Sequence, residues 1–240
     1  MTMSDVVVRG VSGKRSLPYP NEGFGILINS PAVLTDQTNG GNMIRECGVV
    51  ISSPNTYVCG IYVGVEKRTA EGMVGSILVP SNIVDCYVHC FGSGENCTAF
   101  GLNDRVNFNR CSAIGCERFF FSDTGSGSDV VISDFTGMDG YWALDLRGNA
   151  ANTVRNNVLI QNSRFFFANK SPDKWVQAVL LSDDNGTGTV MKNVLFRNCQ
   201  FFSSIPLSSM GRVHGKNISP VGFESCSWVG PWQAPIQQLS

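Results

Sequence analysis

The sequence predicts an all-β solenoid: a parallel β-helix of about eight coils with three short strands per coil. Two observations lead there. The stretch NVLIQNSRFFF at 157–167 returns as NVLFRNCQFFS at 193–203, and the same columns recur along the rest of the chain. The composition is rich in glycine (26 residues) and low in charge (15%), which suits stacked strands and turns better than helices.

Taking Ser163 as an anchor, the preceding strand points Val158 and Ile160 inward, and Phe165 points inward after it. The same columns hold Val194, Phe196, Cys199 and Phe201, then Val106, Phe108, Cys111 and Ala113. They also hold Val130, Ile132, Phe135 and Gly137, and Val221, Phe223, Cys226 and Trp228. Two copies open on a polar residue: Asn42, Ile44, Cys47, Val49, and Ser81, Ile83, Cys86, Val88. At the start, DVVVRGVSG offers Val6, Val8, Val11 and Gly13. Successive anchors lie 24 to 39 residues apart, so the coils differ in their loops while the strands stay constant.

Before the anchor, apolar and polar residues alternate, the mark of a half-buried strand. The anchor itself breaks that parity, so the chain must bend there for both flanks to keep facing inward. The residue before it is Asn162, Asn198, Asp134, Asp85 or Gly10 in five copies, types that tolerate a left-handed backbone. A third apolar stretch closes the coils at 23–29, 60–66, 99–104, 118–123, 141–148 and 178–184. Aligned on inward Leu181, Leu146, Phe121, Leu102 and Ile28, it leaves two outward columns. One is Leu180, Asp145, Phe120, Gly101 and Leu27; the other is Ser182, Arg147, Ser122, Asn103 and Asn29. Residues 1–240 are expected to form one domain, with 229–240 a tail over the last coil, because a solenoid end exposes unpaired strand groups.

The V-x-I-x-N-[SC]-x-F corner resembles that of the pectate-lyase superfamily. The resemblance is architectural and spans nearly the whole chain. It implies a single-stranded right-handed parallel β-helix, and it directs attention to the third strand set, where such solenoids hold extended saccharides. In character the chain is most similar to bacteriophage tailspike bodies and capsid-decoration β-helices. That resemblance implies a virion location, a homotrimer, contacts with other virion proteins and contact with host surface polysaccharide.

Nine cysteines and no charged-then-apolar leader at the start argue against a fully paired secreted disulfide framework. Cys47, Cys86, Cys111, Cys199 and Cys226 occupy the anchor column with Ser163, where small, stackable side chains fit. Cys86 and Cys111 are near enough in the stack to oxidise, and Cys90 and Cys97 flank one loop and are a second candidate pair. Cys59 and Cys116 also lie off the ladder. With only His89 and His214 and no CxxC, no metal or other cofactor is expected. The charge of −1 excludes a general basic nucleic-acid binder, and no apolar run is long enough for a membrane helix.

A glycosidase needs two carboxyl groups, about 5 Å apart for retention and roughly 6.5–9.5 Å apart for inversion. Asp104, Asp123, Asp145, Asp183 and Asp184 are the candidates, although acids at turns are ordinary turn formers. Asp183-Asp184 and His214-Gly215 match two motifs of polygalacturonase-like enzymes, whose Asn-Thr-Asp and Arg-x-Lys motifs are missing. Tyr141, Trp142, Arg147 and Trp175 are the candidates for holding a glycan by stacking and hydrogen bonding. The expected function is a virion structural or receptor-binding protein, with a polysaccharide depolymerase as the alternative. A bacterial surface adhesin is disfavoured by the missing leader.

Overall fold

In the computed structural model the described residues are 2–11, 22–29, 42–52, 57–64, 68–69, 72–73, 80–91, 97–102, 105–122, 128–148, 154–167, 176–183, 186, 188–205, 208–233 and 237–239. They contain strands and turns and no helix. Three parallel sheets account for nearly all the strands. The first sheet stacks Thr2–Ser4, Asn42–Arg45, Ser81–Val84, Val106–Asn109, Val130–Ser133, Val154–Gln161, Val190–Arg197 and Gly222–Glu224. The second stacks Val7–Val11, Gly48–Ser52, Tyr87–Phe91, Ser112–Ile114, Thr136–Met138, Arg164–Phe167, Gln200–Ser203 and Ser227–Val229. The third runs from Glu22–Asn29 through Tyr57–Gly64, Cys97–Gly101, Arg118–Ser122, Trp142–Arg147, Gln177–Ser182 and Ser208–His214 to Trp232–Gln233. The chain visits first, second and third sheet in turn and then moves up one coil, an arrangement consistent with a parallel β-helix. Gln237–Leu239 adds a further parallel partner to Ser208–His214, so part of the tail continues the third sheet.

The bend between first and second sheets follows from one backbone state. Asp5, Glu46, Asp85, Arg110, Asp134, Asn162, Asn198 and Ser225 precede the anchors, and all have φ between 50° and 59°. Left-handed backbone costs most L-residues about 1–2 kcal/mol, least where a short Asn or Asp side chain bonds locally. The side chains here also bond between coils. Asn198 Nδ2 donates to Asn162 Oδ1 at 3.4 Å, and the Arg110 guanidinium grips both Asp85 carboxylate oxygens at 2.7 Å. The hydrogen bond and charge of Arg110 hold the Asp85 carboxyl below its ordinary range.

The N-terminal coil corrects the sequence expectation. Met3 pairs with Ile44 and Val8 with Val49, so Val6 rather than Val11 stands at the corner and Asp5 rather than Gly10 makes the bend. The run VVVRGV is apolar on both parities and carries no period to set its register. A register irregularity between Arg9 and Val11 absorbs the difference. Gly13 lies outside the described residues.

The anchor column does more than fill space. Cys47, Cys86, Cys111, Ser163, Cys199 and Cys226 each donate to the carbonyl two residues earlier, at 3.2, 3.2, 3.5, 2.7, 3.4 and 3.5 Å. Cys86, Cys111, Cys199 and Cys226 also reach a carbonyl of the preceding coil, at 3.7, 3.4, 3.5 and 3.4 Å. In return, the Cys86 sulfur accepts from the Cys47 N–H at 3.4 Å and the Ser163 hydroxyl from the Phe135 N–H at 3.1 Å. Cysteine and serine share this role, which explains their exchange at Ser163. All nine cysteines are free thiols, so neither proposed pair is bonded. Burial pushes Cys199 up to about 12, and burial also raises Cys226. The Cys97 thiol hydrogen-bonds with Cys116 and Cys90 and is raised well above its ordinary value, chiefly by Cys116.

Side-chain sizes on facing sheets compensate within the core. A Cβ on Gly60 would lie 2.6 Å from a Val88 methyl, and one on Gly137 would lie 2.5 Å from the Phe119 ring. Towards the C-terminal end the core becomes aromatic. Trp228 stacks on Phe201 at 4.1 Å and meets Trp232 edge-on at 4.9 Å.

Substitutions at two positions test the corner by urea unfolding. Asn198→Val should lose about 1–2 kcal/mol while Asn198→Gly stays near wild type; equal stability of the two would refute the backbone requirement. Ser163→Ala should lose about 1–3 kcal/mol by stripping the buried Phe135 N–H of its acceptor, and Ser163→Cys should lose less. Alanine matching wild type would mean the column asks only for small size.

Candidate functional site

The outward face of the third sheet gathers the charged and aromatic residues that could meet a ligand. Asp145 pairs in register with Leu180, and Arg147 with Ser182, as the sequence pattern expects. The strand Arg118–Ser122 is offset by one residue from that expectation, with Phe121 rather than Phe120 opposite Asp145 and Ser122 opposite Leu146. Its three consecutive phenylalanines conceal the parity: Phe119 and Phe120 are both buried, at 0% and 1% exposure, and Phe121 faces outward. The correction brings Arg118 beside Trp142, pairing the two in register.

Asp145 is the hub. Its Oδ2 accepts from Arg118 Nε at 2.8 Å and from Arg147 Nη2 at 3.0 Å, and its Oδ1 accepts from Arg147 Nε at 2.9 Å. Arg118 also donates to Glu117 Oε2 at 3.0 Å. The Asp145 side chain is fully buried, while 12% of Arg118 and 29% of Arg147 remain exposed. The Arg118 guanidinium sits 4.8 Å from the Trp142 ring centre and 4.9 Å from that of Phe121. Arg147 lies 5.9 Å from the same Phe121 ring. Beneath this face, fully buried Arg155 donates to the Arg147 carbonyl at 2.6 Å, tying the end of the third-sheet strand to the next coil.

The sequence reading missed Arg118, Glu117 and Arg155. The dipeptide Glu117-Arg118 at the start of an aromatic strand would have revealed the first two, given the right register. Arg155 left no signal, because nothing in VRNNVLIQ distinguishes a buried arginine from a solvated one.

Of the proposed glycan contacts, Trp142 and Arg147 are half-buried on this face. Tyr141 is a correction: it is 1% exposed and belongs to the core, so its ring offers no face to a sugar. Trp175 lies outside the described residues, as do Asp104, Asp123 and Asp184. Asp183 follows Ser182, opposite the turn after Arg147, and is offset from Asp145 by about 10 Å along the strands plus one coil. At backbone level that exceeds the span of an inverting pair.

Asp183 does meet His214-Gly215. Ser182 pairs with His214, the Asp183 N–H donates to the His214 carbonyl at 2.8 Å, and Gly188 N–H donates to Asp183 Oδ2 at 3.1 Å. A cavity of about 330 Å³ opens there, lined by Asp183, Gly186, Gly188, His214 and Gly215. Gly215 has φ of 140°, and a Cβ on it would lie 3.0 Å from that of Asp183. Among the described residues no group of three or more His, Cys, Asp or Glu is placed to hold a metal ion. No helix among them is long and apolar enough to cross a membrane.

No protein-family model matches the chain, and no curated protein matches it. Among solved structures, the ORF18 protein of Geobacillus virus E2 is similar at 11% identity with a TM-score of 0.25. The comparison covers 85% of this chain and 56% of that one, so the chain spans little more than half the length of the viral protein.

Removing the hub should be costly. Asp145→Ala leaves two arginines facing each other, and a loss of about 3 kcal/mol or more is expected in urea unfolding. A loss below about 1 kcal/mol would mean that water already screens the cluster.

Proposed function

We propose that residues 1–240 form one right-handed, single-stranded β-helical domain that serves as a bacteriophage virion protein. It acts as a tailspike-like or capsid-decoration body, assembles as a homotrimer beside other virion proteins, and holds host surface glycan on the outward face of its third sheet. No cofactor, nucleic acid or membrane enters this reading. The observation that carries it is the state of Asp145. Both its carboxylate oxygens are occupied by guanidinium donors, which suits a preorganised binding face rather than an acid that must protonate a leaving group. Two arginines clamped on one carboxylate and resting on Phe121 and Trp142 lose little freedom on meeting a ligand, so a glycan laid across this face would be held at low entropic cost.

The second reading, a polysaccharide depolymerase, is favoured by one specific observation: Asp183 and His214-Gly215 share a cavity. Incubation with host capsular polysaccharide or lipopolysaccharide separates the two. Retention without oligosaccharide release is expected, and Arg147→Ala or Trp142→Ala should weaken retention about tenfold or more with the fold intact by circular dichroism. Oligosaccharide release that disappears in Asp183→Asn would favour the depolymerase. Absence of both glycan retention and association with phage particles would remove the virion reading.

A further inference from the structure

The first and second sheets meet along the left-handed corner, and each carries an outward row three residues from it. On the second sheet, His89, Ile114, Met138, Phe166, Phe202 and Val229 form one continuous in-register row. Phe166 and Phe202 stack at 4.6 Å with an interplanar angle of 5°. Met138 and Val229 are 42% and 51% exposed, so the row stands as an apolar ridge on the surface. Burial lowers the His89 pKa, as expected in such a row.

On the first sheet, the row at the same distance is Val131, Leu159, Leu195 and Gly222, again in register. It floors a groove of about 720 Å³ whose far rim is a side-chain hydrogen-bond ladder, the Asn193 amide donating to Asn157 and the Asn157 amide to the Asp129 carboxylate. Gly222 helps keep the groove open, since a Cβ there would come within 2.9 Å of Leu195 Cδ1.

The groove spans the last four of the six coils that carry the ridge, and there the two run side by side. Met138 shares its coil with Val131, Phe166 with Leu159, Phe202 with Leu195, and Val229 with Gly222. In the earlier coils the first-sheet row is polar at Asn82 and Asn107. The rows nearer the corner are polar on both sheets: Thr136, Arg164, Gln200 and Ser227 on one, and Ser133, Gln161, Arg197 and Glu224 on the other.

We propose that this corner edge faces the axis of a closed ring of three copies, the ridge of each packing into the groove of the next. The inference deepens the homotrimer reading above and rests on it. A second copy is the occupant that fits, because only another stack presents apolar side chains at the same spacing of about 4.8 Å over the same coils. A rotation parallel to the stack keeps each coil level with its counterpart, so over the last four coils apolar meets apolar. Such a contact is heterologous and closes without leaving a free end.

Light scattering with size exclusion on the full chain tests it, with folding checked by circular dichroism and thermal melting. Wild type should weigh three times 26.0 kDa. Phe202→Asp on the ridge and Leu195→Arg in the groove should each give a single folded chain. Mixed in equal amounts, the two variants should form a two-chain species, the intact groove of one taking the intact ridge of the other. Met138→Glu, at a more exposed site, substitutes if Phe202→Asp fails to fold. A wild type that is monomeric at all concentrations would overturn the homotrimer reading and this inference together. An oligomer untouched by both variants would overturn only the surface assignment. Dissociation by the ridge variant alone would show ridge packed on ridge and overturn the groove.

Discussion

One backbone state, repeated at every coil, organises this molecule: a residue with φ near 55° between the first and second sheets. It reverses side-chain parity, so the strands on both sides present apolar residues to one interior. It also takes the next N–H out of the sheet ladder and turns a carbonyl towards the core. A buried backbone group without a partner costs about as much as a lost hydrogen bond. The anchor side chain must therefore be small enough to stack and able both to donate and to accept. Cysteine and serine meet those demands; Val6 in the first coil and Phe135 depart from them, Phe135 where the core turns aromatic, packing against Phe119, Phe120 and Phe165. Five of the nine cysteines thus follow from corner chemistry, with no need of disulfides, metal or catalysis.

The same constraint explains what could be read from the sequence. The corner columns were legible because parity, a turn-tolerant residue and an anchor recur together, and seven of the eight copies fall in the expected register. Legibility failed where the local pattern held no parity. Val6 to Val11 is apolar on both faces. Arg118–Ser122 carries three phenylalanines in a row, two of which reach the core. Ser208–His214 was overlooked because SSMGRVH shows only Val213 as a clear apolar inward residue, while Gly211 packs so closely that a Cβ would lie 2.6 Å from the Val179 carbonyl oxygen.

The charged cluster was harder still to foresee. Asp145 and Arg147 are visible as an outward pair two residues apart, but Arg118 joins them only across the stack. Three-dimensional register decides whether an aspartate on a solenoid face is a solvated acid, a catalytic group or an ion-pair hub. A one-residue slip moves the partner to the opposite face. That slip separated the sequence reading from the observed site, since it placed Phe121 in the core and left Arg118 out of consideration.

A stacked fold of this kind gains stability by adding coils but must dispose of the faces it leaves outside. Here the three faces differ in kind. The third sheet turns charge and aromatics outward in a cluster that satisfies itself, with its central carboxylate fully buried. The first and second sheets turn rows of aliphatic and aromatic side chains outward over the last four coils, with no ion pair along the rows to compensate. Exposed apolar rows of that length are costly on an isolated chain. The polar face is therefore the side suited to meeting other molecules in water, and the corner edge between the apolar rows is the side that a second copy would remove from water.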